Sequence, residues 1–170
     1  MSLSAKAALA EIYKVSLHFQ RGSLLGKTLI MGDLAIELEV NPRAEDVEFL
    51  YARITDSNLT SSGREPAIKI SAWIRNDQGE IEAGIYGWSW GGTAEVDLLW
   101  VTESRRCRGA ASALLDAFEA EALHRECTQI VLSTFDFQAP EFYERRGYAS
   151  LGRVDNYPAG GWHTTMRKLL

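Results

Sequence analysis

Residues 95–122 read EVDLLWVTESRRCRGAASALLDAFEAEA, and two different periodicities meet inside that stretch. Its first part is an apolar run, Val96, Leu98, Leu99, Trp100 and Val101, with the length and composition of a buried strand. Its second part places Ala111, Leu114, Leu115, Phe118 and Ala122 at i, i+3, i+4, i+7 and i+11, the apolar face of an amphipathic helix. Between them lies RRCRGAA, a basic turn with Gly109 where a helix would start. The first N–H groups of a helix have no intrahelical partner and carry the positive end of its dipole. Small residues at Gly109, Ala110 and Ala111 let an anion approach those amides, and the arginines add charge. Strand, small-residue basic turn and helix together predict a phosphate cradle.

The bulk numbers narrow what such a cradle serves. A chain of 170 residues suits one domain with a sizeable core. A net charge of -5 argues against nucleic acid as a partner, because binding its phosphates needs a basic face. A cationic small molecule is easier to reconcile with that balance. The two cysteines, Cys107 and Cys127, suggest no disulfide framework. His18, His124 and His163 show no metal-ligand spacing, so no metal is assigned. No run is long and apolar enough to span a membrane, and the N-terminus lacks a secretory apolar region, so the expectation is a cytoplasmic protein.

Residues 1–30 fit the rest least well and read as an N-terminal extension ahead of a domain over 31–170. Ala5–Phe19 could form a short helix. GSLLGKT, Gly22 to Thr28, has three residues where the phosphate-loop motif needs four between its glycines, and is set aside. Leu34 to Val40 reads as a strand, and Asn41-Pro42 as the cap and first residue of a helix carrying Val47, Leu50, Tyr51 and Ile54. Ser57 to Pro66 reads as a polar loop, a linker or a lid. Three strand-like runs follow, Ile68 to Ile74, Ile81 to Trp90 and Ala94 to Val101. The turns Asn76–Gly79 and Gly91-Gly92 join them into an antiparallel meander. Gln129 to Thr134 is a further buried strand, reached through a helix and therefore parallel to the Glu95–Val101 strand. A short helix near Pro140 stops at Gly147, and Ala149–Val154 with Trp162–Leu169 closes the chain as a hairpin.

Two signatures now stand in order. Arg106-Cys107-Arg108-Gly109-Ala110-Ala111 fits R/Q-x-x-G-x-G/A, and Ala139 to Tyr148 is close to A-x-x-F-Y-E-x-x-G-F/Y. In both motifs and in element order the chain resembles the GNAT N-acetyltransferase superfamily, over its last four-fifths. The resemblance implies an α/β (α+β) fold, a mixed central sheet of about six to seven strands splayed between the fourth and fifth and flanked by helices. It implies acetyl-CoA as co-substrate and a small-molecule or protein amine as acceptor. The pyrophosphate would meet Arg106, Cys107, Arg108, Gly109, Ala110 and Ala111, and the pantetheine arm would run along Leu99, Trp100 and Val101. Homodimers are common in that family.

Transfer also needs a base and an acid. An alkylammonium of pKa near ~10 must lose a proton before it attacks. Glu95 and Asp97, two apart on a strand, point to one face, and either suits the base. Each also suits a purely structural role. Tyr143 matches the tyrosine that many family members use to protonate the departing thiolate. Asp136 stands where many relatives carry an asparagine that bonds the cofactor arm, and an aspartate could do so only as an acceptor. Cys107 lies among arginines, but direct transfer needs no covalent cysteine. Trp88, Trp90 and Trp100 are on or beside the central strands, either as core or as a cation-holding acceptor pocket. The competing reading is a non-catalytic acyl-CoA-binding sensor on the same fold.

Overall fold

The computed structural model describes residues 34–170, and the backbone of Ser16–Leu17 and Lys27–Met31 before them. The chain divides into two compact units, 1–61 and 62–170. In the first unit, β1 (Ser16–Leu17), β2 (Lys27–Met31) and β3 (Leu34–Leu38) form an antiparallel three-stranded sheet, followed by α1 (Ala44–Ser62). The helix expected over Ala5–Phe19 lies outside the described residues except at Ser16–Leu17, which are strand rather than helix. Most of GSLLGKT is likewise outside them, and its Lys27 and Thr28 begin β2.

Two boundaries of α1 differ from the expected ones. It starts at Ala44, two residues after Pro42, because Asn41 sits at φ 60, outside the extended conformation a helix cap adopts. The Arg43 carbonyl takes the first helical N–H groups, from Asp46 and Val47, and the Arg43 guanidinium pairs with Asp46. At the other end the helix runs through Ser57–Ser62, residues read above as loop. Ser and Thr are only mildly unfavourable inside a helix, so it continues until Gly63, whose φ of 63 ends it.

The second unit is a six-stranded sheet in the order β4-β5-β6-β7-β9-β8: β4 (Ile68–Arg75), β5 (Ile81–Trp90), β6 (Thr93–Val101), β7 (Gln129–Phe135), β8 (Ala149–Asp155) and β9 (Trp162–Leu169). β6 and β7 are parallel and all other neighbours antiparallel. The crossover between them is α2 (Ala110–His124), and α3 (Pro140–Arg145) joins β7 to β8. The meander, the parallel crossover and the closing hairpin stand where the sequence put them. The sheet has six strands because Leu34–Leu38, the remaining strand, pairs with Lys27–Met31 instead.

α2 buries Leu114, Leu115, Phe118 and Ala122 against Ile70, Ile85, Val96, Ile130 and Leu132 of the sheet. Phe118 is 1% exposed, a burial worth about 1.5–3 kcal/mol on its own. This side of the sheet holds the core, and its alternation breaks at one point. Gly87 pairs with Val96 and Tyr86 with Leu98, so Asp97 has no partner on β5. The extra residue is a β-bulge, which bends the strand that carries it. Ala94 and Val96 before it face the core; after it Leu99 and Val101 do, rather than Leu98 and Trp100. The bulge also marks the end of pairing with β7, which runs only from Thr93–Gln129 to Val96–Leu132. From Asp97 onward β6 leaves β7, while Ser133 to Phe135 of β7 continue along β9. Gly87 permits the bend: a Cβ there would overlap the Glu95 carbonyl oxygen and lie 3.0 Å from Cζ of Phe118.

Candidate active site

Where β6 and β7 part, a cleft of about 400 Å³ opens. One wall is the end of β6, through Leu99 and Val101. From Leu98 to Val101 this strand pairs with β5 on one side and has no strand partner on the other. Backbone groups without partners are costly unless a ligand or water meets them, so this edge can receive an amide-rich chain. The opposite wall is α3 and the turn before it, through Ala139, Phe142 and Tyr143.

The floor between the walls is the start of α2. Gly109 is its cap residue at φ 83, a left-handed conformation that favours glycine, and it has no side chain to block the amides above it. The first intrahelical bond runs from Ala113 N to Gly109 O at 2.9 Å. The N–H groups of Ala110, Ala111 and Ser112 precede it and have no helical partner, and all three residues line the cleft. Arg105, Arg106 and Arg145 line it as well, and no carboxylate does. Arg106 Nε donates to the Val101 carbonyl at 3.2 Å, and Arg105 Nη2 meets Oε2 of Glu82 at 2.7 Å. Both arginines are therefore held at the mouth by the sheet itself. A polyanion with an extended amide tail fits this lining: phosphates on the helix start, amides on the bare strand edge.

Of the residues marked in the sequence, the cleft brings together Leu99, Val101, Arg106, Cys107, Gly109, Ala110, Ala111 and Tyr143. Trp100, Arg108 and Asp136 are not in its lining. Trp100 belongs to the other face of β6, half exposed, because the bulge shifted the alternation. Asp136 turns its carboxylate toward Gly161 in the β8–β9 turn, where a Cβ would come within 2.9 Å of Oδ2, and its Oδ1 accepts the Phe137 N–H at 3.0 Å. Of the three tryptophans considered for an acceptor pocket, Trp90 donates its indole N–H to the Glu65 carbonyl at 2.9 Å. Arg105, Ser112, Gln138, Phe142 and Arg145 line the cleft without having been singled out. Ser112 had a signal, a hydroxyl in the first turn after the glycine. Gln138, Phe142 and Arg145 depend on how α3 folds back, and Arg105 on the short turn after β6.

Glu95 and Asp97 lie on the face of β6 away from α2. Partial burial, and then the negative charge of Asp97, raise the Glu95 carboxyl above the ordinary carboxylate range. Burial likewise raises the Tyr143 phenol, which therefore keeps its proton at neutral pH. Neither Glu95 nor Asp97 lines the cleft: the raised Glu95 carboxyl lies on one face of β6 and the protonated Tyr143 phenol on the other. Among the described residues no group of three His, Cys, Asp or Glu is placed to hold a metal ion, and no helix is long and apolar enough to cross a membrane.

The sequence model of the acetyltransferase (GNAT) family matches residues 39–148, and the chain belongs to that family. It is 39% identical over 88 residues to the Blasticidin-S acetyltransferase of Streptomyces morookaense, covering 49% of this chain and 62% of that protein. It is 32% identical over 111 residues to an acetyltransferase of Agrobacterium fabrum, covering 65% of this chain and 81% of the relative. The crystal structure of an acetyltransferase from Bacillus cereus superposes with a TM-score of 0.67 at 31% identity, covering 78% of this chain and 97% of that one.

Proposed function

We propose that this protein transfers an acetyl group from acetyl-CoA directly to a primary amine of a small-molecule acceptor. The observation that carries the reading is the cleft, which sets the open amides of α2, the unpaired edge of β6 and the Tyr143 side chain along one lining. Acetyl-CoA supplies the activated thioester. The start of α2 and its arginines hold the pyrophosphate, and the β6 edge aligns the pantetheine arm. Glu95 or Asp97 takes a proton from the ammonium, so that the nitrogen lone pair can form the new C–N bond. As the C–S bond breaks, the Tyr143 hydroxyl donates a hydrogen bond to the departing thiolate and relays to it the proton that the new amide nitrogen sheds, so coenzyme A leaves as the thiol and the phenol is restored. A backbone N–H of the β6 edge stabilises negative charge on the carbonyl oxygen.

Similarity to a Blasticidin-S acetyltransferase supports a small amine as acceptor and makes blasticidin S the first compound to assay. The test of the whole reading is calorimetric titration of the protein with acetyl-CoA, beside the Gly109→Glu variant. That variant puts a carboxylate where the phosphates would lie. Micromolar binding, on the order of the usual range for enzyme substrates, that the variant loses by at least about a hundredfold is the expected result. A folded wild-type protein that does not bind acetyl-CoA would sink the reading.

A further inference from the structure

We propose that Glu119 is a positioning residue for Tyr143, an inference that rests on reading Tyr143 as the proton donor. The need for one follows from α3, which has six residues and begins at Ala139, φ 93, with no side-chain cap. A helix of that length does not hold itself. The Tyr143 hydroxyl has no hydrogen-bond partner among the described residues, so the packing of its ring must set its direction. That ring lies edge-on to Tyr148, centroids 5.9 Å apart at 72°, and the Tyr148 N–H returns to the Tyr143 carbonyl at 3.0 Å.

Tyr148 is fixed in turn by Glu119. The Tyr148 ring is buried, and its hydroxyl donates to Oε1 of Glu119 at 3.1 Å. The other carboxylate oxygen, Oε2, accepts from Nζ of Lys168 at 2.6 Å, and Nζ lies 5.7 Å from the centroid of the Tyr148 ring. The Glu119 side chain is only 12% exposed. Glu119 therefore ties α2, the segment between α3 and β8 that carries Tyr148, and β9 together at one carboxylate. A buried carboxylate with both oxygens engaged tolerates little displacement, because either loss strands a charge or a hydroxyl. Burial raises the Tyr148 phenol strongly, and the Glu119 charge adds to this, so the phenol stays a donor throughout the working pH range. Arg146 pairs with Asp116 beside this junction and anchors α3 to α2 a second time.

The measurement needs no acceptor. The thiol pKa of bound coenzyme A, read from thiolate absorbance against pH, is compared in wild type, Tyr143→Phe, Glu119→Gln and the double variant. A phenol aimed at the sulfur favours the thiolate, so wild type should hold the thiol about one pH unit below the Tyr143→Phe protein. Arg105, Arg106, Cys107 and Arg145, the other titratable groups of the cleft, are common to all four proteins, so their pull cancels. Glu119→Gln should remove most of the wild-type shift and change nothing in the Tyr143→Phe background, with coenzyme A affinity held within about twofold. Equal effects in both backgrounds, or none in either, overturn the inference and leave the acetyltransferase reading intact. A Tyr143→Phe protein with the wild-type thiol pKa removes Tyr143 as donor, and the inference with it. Should Glu119→Gln not fold, Tyr148→Phe deletes one hydroxyl, keeps the ring and the Glu119–Lys168 pair, and must give the same pattern.

Discussion

Glu95 shows how burial, and then one neighbour, shift a side chain's titration. With its carboxyl raised by burial and by Asp97, Glu95 protonates at a higher pH than an ordinary glutamate. If it is the base, the acid limb of kcat/KM reports that raised value. Asp97→Asn removes the second of the two causes and lets the Glu95 pKa fall. The limb should then move toward lower pH. A limb that stays in place would argue that Glu95 is not the group being read. The stability sign is the reverse of the usual carboxylate case. A raised native pKa means that the folded state binds the proton more tightly than the unfolded chain does. Stability therefore falls as pH rises from the unfolded value through the native one. Glu95→Gln should accordingly melt slightly above wild type at neutral pH, with the difference gone in acid below the unfolded pKa.

At the scale of an element, the bulge in β6 does most to make the site. It turns Leu99 and Val101 toward the cleft and starts the divergence from β7. Gly87→Ala tests it, since the added methyl would strike the Glu95 carbonyl and crowd Phe118. Overpacking of this kind costs about 1–3 kcal/mol, so thermal melting should drop by several degrees. Unchanged melting would mean that the bulge relaxes freely. Much of this region was legible beforehand, because β6 and α2 carry opposite periodicities around a glycine, and that contrast is written in residues 95–122. The bulge was not, since Asp97 is polar in a position that an unbroken alternation also explains. Nor was the direction of Asp136, which depends on the approach of Gly161 from a turn some twenty-five residues later in the chain. α1 outruns its expected end for a local reason: Ser57 to Ser62 have the composition of a loop but no breaker before Gly63.

At the scale of the molecule, charge is distributed against the net balance. The protein carries -5 overall, yet its cleft is lined by three arginines and an open helix start. A coenzyme with several phosphates thus meets repulsion at long range and attraction at contact. Salt screens both, and at about 0.1 M the Debye length of ~10 Å removes mainly the distant term. Beyond that point the local attraction is what remains to be weakened. Acetyl-CoA affinity should therefore fall by several-fold, roughly threefold or more, between moderate and high salt, measured by the same titration. Affinity that rises with salt throughout would mean that the net charge, and not the cleft, controls binding.

The two cysteines have opposite surroundings: Cys127 is buried in the core cluster, and Cys107 is exposed on the cleft's lining. The chain thus carries its own single labelling handle. A maleimide should mark the folded protein once, at Cys107, and acetyl-CoA should slow that reaction in proportion to its occupancy, with mass spectrometry counting the adducts. Ligands invisible to every activity assay would then be found by what they shield.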